Sequence, residues 1–200
     1  MSKSDFFLFA AIFVVISGIA QAKYLQIYHY NSRNCLESNY VKVDIFREGC
    51  FSFENYVESQ YATCNGSYGY LEIMKNHIEC GKDPIVFKLG VCVNIEDDIV
   101  RSYRVTCGDF VSKEKMFWEM AYNDRRCEKF VRSATGHVIG KCDATADFGV
   151  GAKVYTCERD DTRVQVLTYK SSTQCIGGIR TNQTWTTECD NRFQNVCGLV

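Results

Sequence analysis

Twelve cysteines recur along this chain in four triplets, and their spacing limits what the chain can become more than any other feature. The triplets are Cys35, Cys50, Cys64; Cys80, Cys92, Cys107; Cys127, Cys142, Cys157; and Cys175, Cys189, Cys197. Positions 35, 50 and 64 move to 127, 142 and 157 with shifts of 92, 92 and 93, and the hexapeptide YNSRNC at 30–35 is echoed by YNDRRC at 122–127. Each half divides again, because YLQIYHYNSRNC, YLEIMKNHIEC, FWEMAYNDRRC and VQVLTYKSSTQC begin at 24, 70, 117 and 164. A repeated period with the cysteines in phase marks a duplicated structural unit. The chain therefore reads as four units of about 47 residues, with three cysteines in each.

Three is odd, so no unit can pair all its cysteines internally, and units must share bridges. Six cysteines in two units allow 15 connectivities, among which sequence does not choose. The economical arrangement is two domains of two units, 23–109 and 110–200, each closed by its own bridges. Disulfides also require an oxidising compartment. Residues 1–22 supply the means of export: Lys3 precedes the apolar run FFLFAAIFVVI, and Ala20-Gln21-Ala22 offers a small-residue cleavage site, as in a secretory signal peptide. No later stretch is apolar enough to span a bilayer. The sequons at Asn65 and Asn182 fit an exported glycoprotein surface. No Cys-x-x-Cys pair suggests a thiolate zinc site.

Alternation with period two points to half-buried strands. Val41, Val43 and Ile45 alternate with Lys42 and Asp44, and Tyr103, Val105 and Cys107 alternate with Ser102, Arg104 and Thr106. At 179–189 the polar set Arg180, Asn182, Thr184, Thr186 and Glu188 opposes Ile179, Thr181, Trp185 and Cys189. Local propensity in KEKMFWEMAY, 113–122, favours a helix. A repeat should keep its element type, so 116–122 is expected to be a strand, with a short helix at 112–116 left open. The expected fold is all-β: two tandem disulfide-rich β-sandwich domains of the Greek-key type. Each domain is near the size at which a core alone is marginal, and each bridge adds about 2–4 kcal/mol.

Two stretches bear on family. EDDIVRSYRV, Glu96 to Val105, has an acidic pair, two variable residues and a following serine, then a strand of alternating character. ENYVESQYA, Glu54 to Ala62, stands in the same register, with Ser59 matching Ser102, and Tyr169, Cys175 and Gly177 echo an aromatic-and-glycine phrase. In these motifs and in its paired units the chain resembles the βγ-crystallin family. The glycine phrase is missing from the other three units, Ala152 replaces the serine in the second half, and the cysteine density is foreign to the family. Another disulfide-bonded pair of β-sandwiches fits the same pattern. The resemblance implies a calcium site with ligands from Glu54, Asn55, Asp97 and Asp98. Glu58 and Arg101 stand where the family prefers Ser or Thr, and a guanidinium there opposes a divalent cation.

Other chemistry finds little footing. With 23 basic and 24 acidic residues the chain lacks the basic footprint of a nucleic-acid binder, and the cluster RRCEKFVR at 125–132 reads as a solvated face. His29, His77 and His137 form no metalloprotease pattern, and no G-x-S-x-G elbow occurs. Every cysteine has a place in the triplets, which leaves no reactive thiol. Trp118 and Trp185 read as core residues rather than a sugar-stacking platform. The expected protein is exported and non-enzymatic, requires no cofactor other than the calcium that the resemblance implies, and acts at the cell surface or in the extracellular matrix by adhesion or by binding a protein or glycan ligand. A secreted effector, such as a hydrolase inhibitor or antimicrobial toxin, is the alternative.

Overall fold

The structure, a computed structural model, describes residues 23–53, 56–75, 80–95, 101–110, 112, 114–144, 151–170 and 174–198. The signal segment 1–22 lies outside them. The first half contributes β1 (Tyr24–Tyr30), β2 (Tyr40–Arg47), β3 (Gly49–Phe53), β4 (Tyr56–Asn65), β5 (Tyr68–Lys75), β6 (Ile85–Lys88), β7 (Cys92–Asn94) and β8 (Ser102–Gly108). The second half contributes β9 (Met116–Tyr122), β10 (Val131–Val138), β11 (Cys142–Asp143), β12 (Lys153–Cys157), β13 (Arg163–Tyr169), β14 (Ile179–Thr186), β15 (Cys189–Asp190) and β16 (Phe193–Gly198). Two single 3-10 turns, Arg33–Cys35 and Glu37–Asn39, complete the assigned elements. The protein is an all-β, disulfide-rich sandwich, and no helix among the described residues is long and apolar enough to cross a membrane.

Four strands of each half join one eight-stranded antiparallel sheet, ordered β15-β16-β9-β10-β2-β1-β8-β7. The other four strands of each half form a sheet of their own, β3-β4-β5-β6 and β11-β12-β13-β14. The halves meet where β2 pairs with β10: Asp44 stands opposite Thr135 and Val43 opposite Gly136. Asp44 and Thr135 are 91 residues apart, within one residue of the repeat shift of 92, so equivalent segments of the two halves face each other. Two copies of one surface thus meet about a pseudo-twofold axis, the geometry of an isologous dimer interface within a single chain.

Side chains directly opposite each other across a ladder share a sheet face. One face of the shared sheet carries Leu25, Ile27, Phe46 and Val105, which pack on Ala62 and Leu71 of the first small sheet, and Phe117 and Cys197, which pack on Tyr155, Val164 and Val166 of the second. The opposite face carries a cluster drawn from both halves, including Tyr30, Val43, Ile45, Met116, Trp118, Met120 and Val138. Both faces of β2 are therefore covered. Val41, Val43 and Ile45 are buried as the alternation foretold, yet Lys42 and Asp44 are only about one-fifth exposed, because their side of the strand lies at the seam between the two halves.

The segment of helical propensity, 116–122, is a strand: each of its apolar faces finds a partner, and residues 112, 114 and 115 just before it are not helical. In β14 the polar set is exposed as expected, but so are Ile179 and Thr181, and only Trp185 is half-buried. This strand pairs on one side only, at the rim of its sheet, where alternation does not guarantee burial.

All twelve cysteines are paired: Cys35–Cys92, Cys50–Cys80 and Cys64–Cys107, then Cys127–Cys189, Cys142–Cys175 and Cys157–Cys197. The two halves repeat one connectivity, and every bridge joins one 47-residue unit to its neighbour within the same half. The hexapeptide echo explains one bridge in each half. In the second half the Asp124 carboxylate accepts the backbone N–H groups of Arg126, Glu128 and Lys129, and Cys127 sits in the left-handed region at φ 57°. In the first half Cys35 has φ 49°, and its N–H donates to Ser102 Oγ at 3.0 Å. A left-handed non-glycine residue costs about 1–2 kcal/mol, which the turn's hydrogen bonds and the bridge offset.

The Cys64–Cys107 bridge ties a small sheet to the shared sheet across a loop of 43 residues. Its removal in C64A/C107A is expected to cost about 3–4 kcal/mol, and C157A/C197A, which removes its counterpart, is expected to cost the same within error. Urea unfolding under non-reducing conditions measures both. Unequal losses of several-fold would show that the two halves are not energetically equivalent.

Candidate functional site

The shared sheet places two chemically distinct groups of side chains on its two faces. At the seam between the halves, His29 Nε2 lies 2.8 Å from Asp44 Oδ2, Thr135 Oγ1 donates to Asp44 Oδ1 at 2.9 Å, and Lys42 Nζ lies 3.3 Å from the same carboxylate. Burial alone would push Asp44 upward, but the His29 hydrogen bond, the Lys42 charge and the Thr135 hydroxyl together hold its carboxyl well below the usual range. Beside it, His137 is buried with Nδ1 at 2.7 Å from Asp143 Oδ2 and Nε2 at 3.5 Å from Glu119 Oε2, and its ring stacks on Tyr155 with centroids 4.1 Å apart. Burial disfavours the imidazolium, but Asp143 and then Glu119 outweigh it and raise His137 above its ordinary value. These groups satisfy one another, and their work is to fix the register of the seam. His77 lies outside the described residues.

On the opposite face a cavity of about 190 Å³ opens between the sheet, the loop carrying the two 3-10 turns and the segment that crosses from β8 to β9. Its walls are Tyr28 and Tyr30 of β1, Tyr40, Val43 and Ile45 of β2, and Met116 and Trp118 of β9, so both halves build it. Glu37, Arg104, Thr106, Ser112 and Glu114 complete the lining. Tyr40 is the hinge of the aromatic wall, with its ring centroid 5.4 Å from Tyr28 and 6.1 Å from Tyr30. Trp118 is fixed from two sides. Phe110 meets it edge-on at 5.1 Å, and Gly136 lies beneath its ring so closely that a Cβ there would stand 2.5 Å from a ring carbon.

The cavity's polar groups are only partly paired. Arg104 Nη1 donates to Glu37 Oε1 at 2.8 Å, while Arg104 Nε has no acceptor among the described residues. The indole N–H of Trp118, which is 1% exposed, likewise has none. A buried donor without a partner costs about 1–3 kcal/mol. Negative charge dominates the remainder. Burial first and Glu37 next push the Tyr30 hydroxyl up to about 12, and Tyr40 is raised further by burial, by its tyrosine neighbours and by Glu114 and Glu37.

The residues singled out from sequence fall in several places. Glu54, Asn55, Asp97 and Asp98, the implied calcium ligands, lie outside the described residues. Arg101 is exposed, and the motif serine Ser102 is fully buried, donating to Ser32 O at 2.6 Å and accepting from Cys35, so it braces the turn at Cys35. Asn65, the last residue of β4, and Asn182, on β14, are both exposed. Of the cluster at 125–132, Arg125, Arg126, Glu128 and Lys129 are exposed and Arg132 is buried. Among the described residues, one grouping of possible metal-binding atoms, Cys157, Asp161 and Cys197, involves two sulfurs already joined in a bridge and offers no thiolate. Trp118 is in the core as expected and also lines the cavity. The tyrosines, Glu37 and Arg104 were not singled out. The difference between the halves carries a signal for them, since the counterparts of Tyr28 and Arg104 are Met120 and Gln194, and the second half therefore lacks the same aromatic and charged lining.

No protein-family model, curated protein or solved structure matches this chain, so the cavity is interpreted from its geometry alone.

Two outcomes are expected. Gly136→Ala forces the Trp118 ring aside, lowers stability by about 1–3 kcal/mol and changes the near-ultraviolet circular dichroism; an unchanged spectrum would mean that Trp118 is not held against β10. Because the folded-state pKa of His137 is raised, its contribution is present in full below about pH 6.5 and is lost as pH rises through the folded value. Unfolding free energy should thus decline as pH rises above about 6.5, and His137→Gln should flatten that decline. An identical pH profile in the variant would contradict the pairing.

Proposed function

We propose that this exported protein is a non-enzymatic binding protein that holds a small, flat, largely apolar ligand in the aromatic cavity of its shared sheet. Of the two modes of action expected for it, adhesion and ligand binding, the aromatic cavity supports the second. Six disulfides and an antiparallel scaffold suit an extracellular, stable protein. One observation carries the reading: three tyrosines and a tryptophan line, with Val43, Ile45 and Met116, a single cavity that both halves build. Small-molecule sites have this composition, with apolar and aromatic walls and a few convergent polar groups. The size suits one or two rings, since an apolar cavity of about 150 Å³ takes up benzene.

A groove of about 420 Å³ elsewhere on the molecule, lined by residues such as Phe46, Glu119, Thr135, Phe193 and Asn195, is larger. Its lining holds two aromatic rings, Phe46 and Phe193, against four in the smaller cavity.

Trp118 and Trp185 are the only tryptophans, so Trp185→Phe leaves the cavity residue as the sole indole reporter. Titration of that variant with one- and two-ring phenols and amines is expected to shift Trp118 emission, with dissociation constants on the order of 10–100 µM for such small ligands. The same compounds should raise the melting temperature of the unmodified protein. If no ring compound at millimolar concentration moves either signal, the cavity is not a binding site.

A further inference from the structure

We propose that Asn182 carries an N-linked glycan, and that this glycan keeps the rim strand β14 from pairing with β14 of a second copy of the chain. The proposal is independent of the cavity and its ligand. A strand at the end of a sheet leaves one row of backbone N–H and C=O groups open to another chain, and proteins protect such rims by keeping them short or by placing proline or charge on them. Among the described residues the sheets end in β15 and β7, in β11 and β14, and in β3 and β6. Five of these strands have two to five residues, whereas β14 has eight. Seven of the eight are exposed, Arg180 is the single charge, and proline is absent.

The duplicated fold shows what replaces those protections. Cys64 and Cys157 are equivalent in the cysteine phase. Cys64 faces Gly69, which faces Phe87, while Cys157 faces Val164, which faces Trp185. Phe87 and Trp185 are therefore equivalent, and three residues before them stand Pro84 and Asn182. In the first half the chain's only proline immediately precedes β6 and ends the rim strand there. In the second half the strand continues past this point to Ile179 and carries the sequon Asn182-Gln183-Thr184 instead. With no free cysteine, the chain suits the oxidising, secretory compartment in which sequons are modified. Asn182 Oδ1 accepts from Gln165 Nε2 at 3.2 Å, and Nδ2 makes no hydrogen bond among the described residues. Attachment joins Nδ2 to the anomeric carbon of a lipid-diphosphate-linked oligosaccharide; the bond from that carbon to the diphosphate breaks, the lipid diphosphate leaves and the amide gives up one proton. Two β14 strands paired antiparallel about Asn182 set Ile179 opposite Trp185 and Thr181 opposite Gln183, and oppose no like charges. Directly opposed residues share a sheet face at about 5 Å, so two glycans on Asn182 would have to occupy one place.

The full chain, secreted from a eukaryotic host cell, tests both parts. Peptide mass spectrometry is expected to find glycan on Asn182, and sedimentation velocity to find a monomer. Thr184→Ala and Asn182→Gln each remove the sequon at an exposed position, and both are expected to sediment largely as dimers at about 100 µM, the strength of a small interface. Asn182→Lys also lacks the glycan, but it opposes two ammonium groups at the centre of the paired strands and should stay monomeric. Asn65→Gln, which disables the other sequon, should stay monomeric as well. An unmodified Asn182 in the secreted protein would overturn the assignment. Monomeric Thr184→Ala and Asn182→Gln at that concentration would overturn the role given to the glycan. Self-association of Asn182→Lys or Asn65→Gln to the same extent as Thr184→Ala would do so too, because the contact would then not be the rim of β14.

Discussion

The pairing of β2 with β10 is the contact on which the rest of the molecule depends. Each half has its own small sheet and its own three bridges, but neither has the shared sheet until these two strands meet. The ladder brings Trp118 and Met116 beside Tyr28, Tyr40 and Val43, and so makes a cavity that the first half does not enclose alone. It also brings His29, Lys42, Asp44, Thr135 and His137 into one polar seam. A slip of one residue in that ladder would turn the apolar face toward the seam and the charged face toward the cavity. The buried ion pairs therefore serve less as a source of net stability than as a means of fixing register.

The bridges act at a different level. Every one joins two neighbouring units of about 47 residues, and none crosses between the halves. Units of this length bury too little apolar surface to hold themselves together, and closing loops of 30 to 62 residues reduces the entropy of the unfolded chain. Covalent closure within the halves and non-covalent pairing between them divide the work of stabilising the fold.

Much of this organisation was legible in the residues. The cysteine phase gave the four units, alternation gave β2 and β8, and the repeat gave a strand at 116–122 where propensity alone favoured a helix. What alternation does not carry is the identity of the neighbouring strand. It divides Lys42 and Asp44 from Val43 and Ile45, but their surroundings depend on β10, about ninety residues away, so charged residues expected to meet water meet a seam instead. Ile179 and Thr181 fail in the opposite sense, because β14 lies at a rim. The bridge connectivity was undetermined for the same reason, since only the fold brings Cys35 to Cys92 and Cys50 to Cys80. The cavity was the least visible feature: Tyr28, Tyr30 and Tyr40 read as ordinary strand aromatics, and their convergence on Trp118 is a property of the seam.

Amide hydrogen exchange in the oxidised protein tests that seam most directly. If β2 and β10 are central strands, the hydrogen-bonded amides within Lys42–Phe46 and Ser133–His137 should exchange as slowly as those of β1 and β9, which are paired on both sides. Fast exchange of both segments, at the rate of the rim strand β14, would show two halves that do not share a sheet, and would remove the cavity along with it.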